Sequence, residues 1–145
     1  MRSLVQRVKQ AKVTVDGDTV GEIGPGLLIF LGIARSDTIK DVDWLVEKIV
    51  HLRIFDDSLG RLQHDVRDIG GQLLVVSQFT LYGEVRRGRR PDFVLAAPAA
   101  MAEPLYQRFI SGCRRILPVE SGTFGADMDV SLVNWGPVTL WVETP

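Results

Sequence analysis

The chain reads as a mixed α/β domain with β and α layers, and two observations predict it. Leu27-Leu28-Ile29-Phe30-Leu31-Gly32-Ile33 is a continuous apolar run, and Leu73 to Gln78 is a second that ends in polar residues. Each suits a strand buried on both faces. Two other stretches repeat apolar residues every three or four positions, as amphipathic helices do when they cover such a sheet. About seven strands and two helices are expected, in one domain spanning residues 1–145.

In chain order, Val13-Thr14-Val15 and Thr19-Val20 flank Asp16-Gly17-Asp18. Asp-Gly between β-like residues predicts a tight hairpin. Gly24-Pro25-Gly26 is a loop before the first buried strand. Ser36 or Asp37 is placed to cap a helix carrying Ile39, Val42, Leu45, Val46, Ile49 and Val50 on one stripe. Residues 54–71 are polar and turn-rich, so they predict a loop with short pieces of strand. Gly83 to Arg90 is a charged loop. Met101, Leu105, Phe109 and Cys113 predict the second helix, with Pro104 near its first turn or kinking it. Met128, Val130 and Leu132 alternate with Asp129 and Ser131, which predicts a half-buried strand. Gly136-Pro137 then reads as a turn, and Val138 to Val142 as a final strand.

Composition excludes several function classes. A net charge of −1 rules out a chain that binds nucleic acid through its overall charge, so such contact needs a local basic patch. Cys113 is the only cysteine, so no intrachain disulfide can form, which fits a reducing cytoplasm. No apolar run approaches the roughly 20 residues that span a bilayer. The N-terminal residues lack the apolar core of a signal peptide. The expectation is a soluble cytoplasmic protein with no membrane association.

Chemistry is harder to place. Two histidines and one cysteine, scattered, make no metal site, and no cofactor motif is present. His51 suits the C-terminus of the first helix, His64 a solvated loop, and Cys113 the apolar stripe of the second helix. Ser77 and Thr80 are hydroxyls at the end of a buried strand, but neither sits in a nucleophile elbow or beside a base. Ser77-Gln78-Phe79-Thr80 is therefore either a strand end with hydroxyls capping a turn, or an electrostatic site. In the second reading backbone N–H groups, a Gln amide and a hydroxyl hold an ester carbonyl or its oxyanion. Arg86, Arg87, Arg89 and Arg90 place four guanidinium groups within five residues. They are either a solvated loop or a phosphate contact beside that site. Whether Gly136-Pro137 is cis or trans is open at this level, since only about 5–6% of X-Pro bonds in folded proteins are cis.

Seven segments together resemble the D-aminoacyl-tRNA deacylases. They are Val5-Gln6-Arg7-Val8, Gly24-Pro25-Gly26-Leu27-Leu28, Ser77-Gln78-Phe79-Thr80-Leu81-Tyr82-Gly83, Gly88-Arg89-Arg90-Pro91, Ala102-Glu103-Pro104-Leu105-Tyr106, Phe124-Gly125-Ala126-Asp127-Met128 and Asn134-Trp135-Gly136-Pro137-Val138-Thr139. The likeness runs from Met1 to about Glu143. It implies a compact β-β-α layered domain working as a homodimer, with aminoacyl-tRNA as substrate and no cofactor. Ser77, Gln78, Phe79 and Thr80 would line the pocket around the aminoacyl ester. Gly136-Pro137 would be cis and would enter the partner subunit's pocket, where an L side chain collides, a D side chain points away and glycine is admitted. Arg7 would help hold that loop, and Phe124, Gly125, Ala126 and Met128 would border the terminal adenosine. Thr80 as nucleophile is the weaker mechanism, and assistance by the adenosine's 2′-hydroxyl the stronger.

Three positions depart from the family's usual wording: Trp135, where a small acidic residue is common; Asp92, where a small hydroxyl residue is common; and Gln63-His64-Asp65, in a loop with no assigned role. A non-catalytic RNA-binding module using the arginine loop is the alternative reading. A proofreading domain that works fused to a synthetase is disfavoured, because the chain ends at Pro145 without a linker.

Overall fold

The structure, a computed structural model, describes residues 1–145. Its organising element is a long first strand, β1 (Arg2–Val15). The hairpin turn at Asp16 and Gly17 has φ of 51° and 87°, the left-handed pair that a two-residue turn of matching twist requires. The chain returns along the same edge of β1 as β2 (Asp18–Ile23) and then, past Gly24-Pro25, as β3 (Gly26–Gly32). The opposite edge of β1 is taken by the last strand, β8 (Asp129–Glu143). On the far side of β3, β6 (Gln72–Ser77) and β7 (Val119–Ser121) add in parallel. A two-stranded ribbon, β4 (Phe55–Asp56) with β5 (Leu62–His64), lies within the expected loop.

Both predicted buried strands are covered on both faces, and each face has its own core. Leu27, Ile29, Leu31, Leu73 and Val75 point to a large cluster beneath the two helices. Leu28, Leu74 and Val76 point the other way, to a smaller cluster with Val8, Ala11, Val13 and Ile23. The period of two along each strand explains why an unbroken apolar run was needed. The two clusters separate three layers in the sense expected.

The helices are α1 (Ile39–Val50) and α2 (Ala99–Arg114). Val42, Leu45, Val46, Ile49 and Val50 of α1 are buried, as the stripe predicts. The cap is not Ser36 or Asp37 but Thr38, whose N–H and hydroxyl both donate to the Asp41 carboxylate at 2.8 and 2.7 Å. The Thr38 hydroxyl holds the Asp41 carboxyl below its ordinary pKa. Asp37 instead turns inward and accepts from the Ala34 N–H at 2.6 Å. Pro104 lies inside α2, five residues after Ala99 and so beyond the first turn. It removes a bond to the Ala100 carbonyl, and Ala100 is exposed, so water can serve that group.

The C-terminal region differs most from expectation. In place of two strands and a turn there is one element, β8, interrupted by a bulge. Gln6 faces Thr139 while Val8 faces Asn134, so two steps along β1 match five along β8. The surplus residues, among them Trp135, Gly136 and Pro137, are pushed out of the ladder. The Gly136–Pro137 peptide bond is cis. Leu132 and Val133 are both exposed, at 36% and 44%, so the predicted burial alternation is weak there.

Candidate active site

A cavity of about 490 Å³ opens where parallel strands β3 and β6 end. Crevices at the carboxyl ends of parallel strands are the usual ligand sites of such sheets. Its walls come from Leu31 and Ile33, from Val76 through Phe79, from Ala97, Ala99 and Ala102 at the start of α2, and from Phe124 through Met128 with Val130. Eleven of the fifteen wall residues are hydrophobic, so the few polar groups set orientation.

The strand does not simply stop at Ser77. Gln78, expected to end the strand, leaves the extended conformation, and the expected turn is one 3-10 turn, Phe79–Tyr82. The turn packs close against β3. A side chain at Gly32 would lie 3.0 Å from the Gln78 carbonyl oxygen and 3.2 Å from Leu81 Cβ, a tight approach that favours glycine. The Gln78 N–H donates to the Leu31 carbonyl at 2.8 Å, while the N–H groups of Phe79 and Thr80 donate to no backbone carbonyl. They are the unpaired donors that any helical turn leaves at its start. The Gln78 side-chain amide donates to the Thr80 hydroxyl in a short contact. From the other side, Arg2 donates to the Leu81 carbonyl at 3.2 Å and lies over the Tyr82 ring at 4.4 Å.

Ser77, Gln78, Phe79, Phe124, Gly125, Ala126 and Met128 thus meet in one cavity, although Ser77 and Met128 stand far apart in sequence. Phe124 is backed by the Tyr106 ring, 5.5 Å between centroids. Tyr106 donates to the Val75 carbonyl at 2.9 Å, and burial pushes its hydroxyl up to about 12. Thr80 is exposed and does not line the wall. Gly136 and Pro137 are also exposed and lie off the cavity of their own chain.

Arg7 is where the β8 bulge is anchored. It follows Ser3 and Val5 on the buried side of β1 and is itself 2% exposed. Its Nε donates to the Trp135 carbonyl at 3.0 Å, and one terminal nitrogen to the Gly136 carbonyl at 3.1 Å. The other terminal nitrogen donates to the Ile54 carbonyl at 2.7 Å and the Asp56 carboxylate at 3.1 Å. Of the loop arginines, Arg86 is chelated by Glu84, and this contact holds the Glu84 carboxyl down at about 2. Arg87, Arg89 and Arg90 are exposed and make no ion pair.

His51 ends α1, its Nδ1 within 2.8 Å of the Glu47 carbonyl, and His64 is half-exposed beside Asp68. Neither lines the cavity. Cys113 is buried, and burial alone pushes its thiol up to about 12, which keeps it an unreactive core group. No helix is long and apolar enough to cross a membrane. Sequence reasoning missed the alanine wall and Asp127, the one carboxylate on the cavity surface.

The family profile for D-Tyr-tRNA(Tyr) deacylase matches residues 4–143. A D-aminoacyl-tRNA deacylase of Chlorobaculum parvum is 53% identical, covering 100% of this chain and 99% of its own. One of Desulfatibacillum aliphaticivorans is 55% identical, covering 99% of both. Among solved structures, a c-Myc DNA Unwinding Element Binding Protein superposes with TM-score 0.94 at 42% identity, over 100% of this chain and 99% of that one. A probable eukaryotic D-amino acid tRNA deacylase, 21% identical and covering 97% of both chains, shares the fold with TM-score 0.83. The chain belongs to the D-Tyr-tRNA(Tyr) deacylase family.

Proposed function

We propose that this member of the deacylase family hydrolyses the ester bond of D-aminoacyl-tRNA, releasing the free D-amino acid and tRNA. The observation that carries the reading is the cavity itself. It combines apolar walls with the unpaired backbone N–H of Phe79, which lines it, and has no histidine or cysteine; the unpaired N–H of Thr80 follows next in the chain. Such a site positions and polarises an ester instead of attacking it with a side chain. Water adds to the ester carbonyl, and the Phe79 and Thr80 N–H groups receive the developing oxyanion. The bond to the ribose 3′-oxygen then breaks, and a proton passes to that oxygen. The adjacent 2′-hydroxyl of the terminal adenosine assists the water, and Phe124, Gly125, Ala126 and Met128 border that adenosine.

Chiral selection, in this reading, belongs to Gly136-Pro137 of a second copy of the chain. The exposure of the bulge and its position off its own cavity support an isologous dimer in which each copy completes the other's site. The loop carbonyls there exclude an L side chain and admit a D side chain or glycine. Arg87, Arg89 and Arg90, with Arg86, contact tRNA phosphates.

Incubation with D-tyrosyl-tRNA and L-tyrosyl-tRNA tests the function, with release of the D-amino acid and survival of the L ester expected. Equal cleavage of both would sink it, and release from neither would leave an RNA-binding module. The mechanism is tested in the same assay. Thr80→Ala should keep substantial activity, and a terminal adenosine lacking the 2′-hydroxyl should be cleaved poorly. A dead Thr80→Ala variant with full activity on the 2′-deoxy substrate would make Thr80 the nucleophile.

A further inference from the structure

Arg7 is held by four oxygens, and its guanidinium also lies over two aromatic rings. The Trp135 ring centroid lies 5.1 Å from the guanidinium carbon, and the Phe55 ring centroid 6.0 Å. The two rings meet edge to face, 6.1 Å apart at 75°. Phe55 is 1% exposed, so that wall is dry. Asp56, the one carboxylate on Arg7, has a side chain 38% exposed and sits at the rim. Trp135 supplies two things at once. Its carbonyl accepts from Nε, and its ring covers the cation directly beside the Gly136 carbonyl.

We infer that Trp135 is a positioning residue for chiral selection in this chain, acting through Arg7. The inference rests on the proposed role of Gly136-Pro137. The physical argument concerns competition by water. A guanidinium left open on one face is hydrated there, and water then competes with the Gly136 carbonyl for the terminal N–H. A ring against the guanidinium excludes water from that side and adds an attraction that strengthens as the site is desolvated. The Gly136 carbonyl therefore keeps one direction, and a loop that discriminates two mirror-image substrates works only if its atoms do not wander. Arg7 belongs to β1 and Trp135 to β8, so the clamp also ties the β8 bulge to the strand beside it.

The experiment compares the native protein with Trp135→Ala and Trp135→Phe on D-tyrosyl-tRNA and L-tyrosyl-tRNA. It also follows hydrogen exchange of the Arg7 Nε–H by NMR. Trp135→Ala should lower the preference for the D ester by about tenfold, as loss of one desolvated cation–π contact implies. It should also speed Nε–H exchange. Trp135→Phe keeps an aromatic face and should restore both readouts to near the native values. A native-like preference and exchange in Trp135→Ala overturns the inference, and so does a Trp135→Phe variant as impaired as Trp135→Ala. If Trp135→Ala fails to fold, the native protein still decides, since an Arg7 Nε–H exchanging as fast as an exposed arginine overturns the clamp. A native protein that does not distinguish the two esters refutes the proposed function instead. The exchange data then judge the clamp alone.

Discussion

Arg7 and the arginines of residues 86–90 are the same side chain in opposite settings. Arg7 is 2% exposed, and its donors serve three carbonyls and one carboxylate within the chain. Arg86 is 87% exposed and bound only to Glu84, while Arg87, Arg89 and Arg90 make no ion pair. A buried guanidinium must use its donors internally, because an unpaired buried charge is costly. An exposed one keeps its hydration and its donors available for a ligand. Arginine on a buried strand face therefore fixes the backbone around it, and Arg87, Arg89 and Arg90 on the loop keep their donors available.

The largest expected effect breaks the buried set. Arg7→Met removes four hydrogen bonds and leaves the Ile54, Trp135 and Gly136 carbonyls with no partner from that side chain. Urea denaturation should show a loss of about 3 kcal/mol. Arg87→Ala with Arg89→Ala should stay within about 0.5 kcal/mol of native stability. The contrast collapses if the two variants are equally stable.

A middle-sized effect tests the exposed set. The Arg87→Ala, Arg89→Ala double variant should bind tRNA more weakly, with its salt dependence reduced by about two, one for each lost phosphate contact. Turnover at saturating substrate should change little. An unaltered salt slope returns the loop to plain solvated surface.

The smallest effect refines it. The Arg86 guanidinium holds the Glu84 carboxyl down at about 2, so Glu84 is charged at neutral pH and occupies Arg86. Glu84→Gln frees that guanidinium and removes a negative charge beside it. Binding should tighten, and the salt slope should steepen by no more than about one. Weaker binding in Glu84→Gln would mean that Glu84 orders the loop for its ligand instead of competing with it.

What was legible in the sequence was legible because it is local. The Asp16-Gly17 turn, the doubly buried strands and the stripe of α1 each follow from spacing within a few residues. His51 at a helix end and Cys113 as a core thiol were readable for the same reason. The cap of α1 was misplaced by one or two residues, because Asp37 found an acceptor role toward Ala34 that no capping rule anticipates. A turn after Ser77 was legible, but its 3-10 form was not, because its packing against Gly32 joins residues 45 or more positions apart. The wall of Ala97, Ala99 and Ala102 was missed because alanine carries no chemical signal of its own.

By itself the sequence determined the layers, the two helices, the paired cores and the position of the arginine loop, since hydrophobic period and turn chemistry act over one or two turns of chain. Tertiary structure alone decided that Trp135, Gly136 and Pro137 bulge out of the sheet and that Arg7, Phe55 and Trp135 close on one another there. The reason is the pairing of β1 with β8. Register between strands more than a hundred residues apart depends on which faces the rest of the core buries, and no local pattern within either strand carries that information.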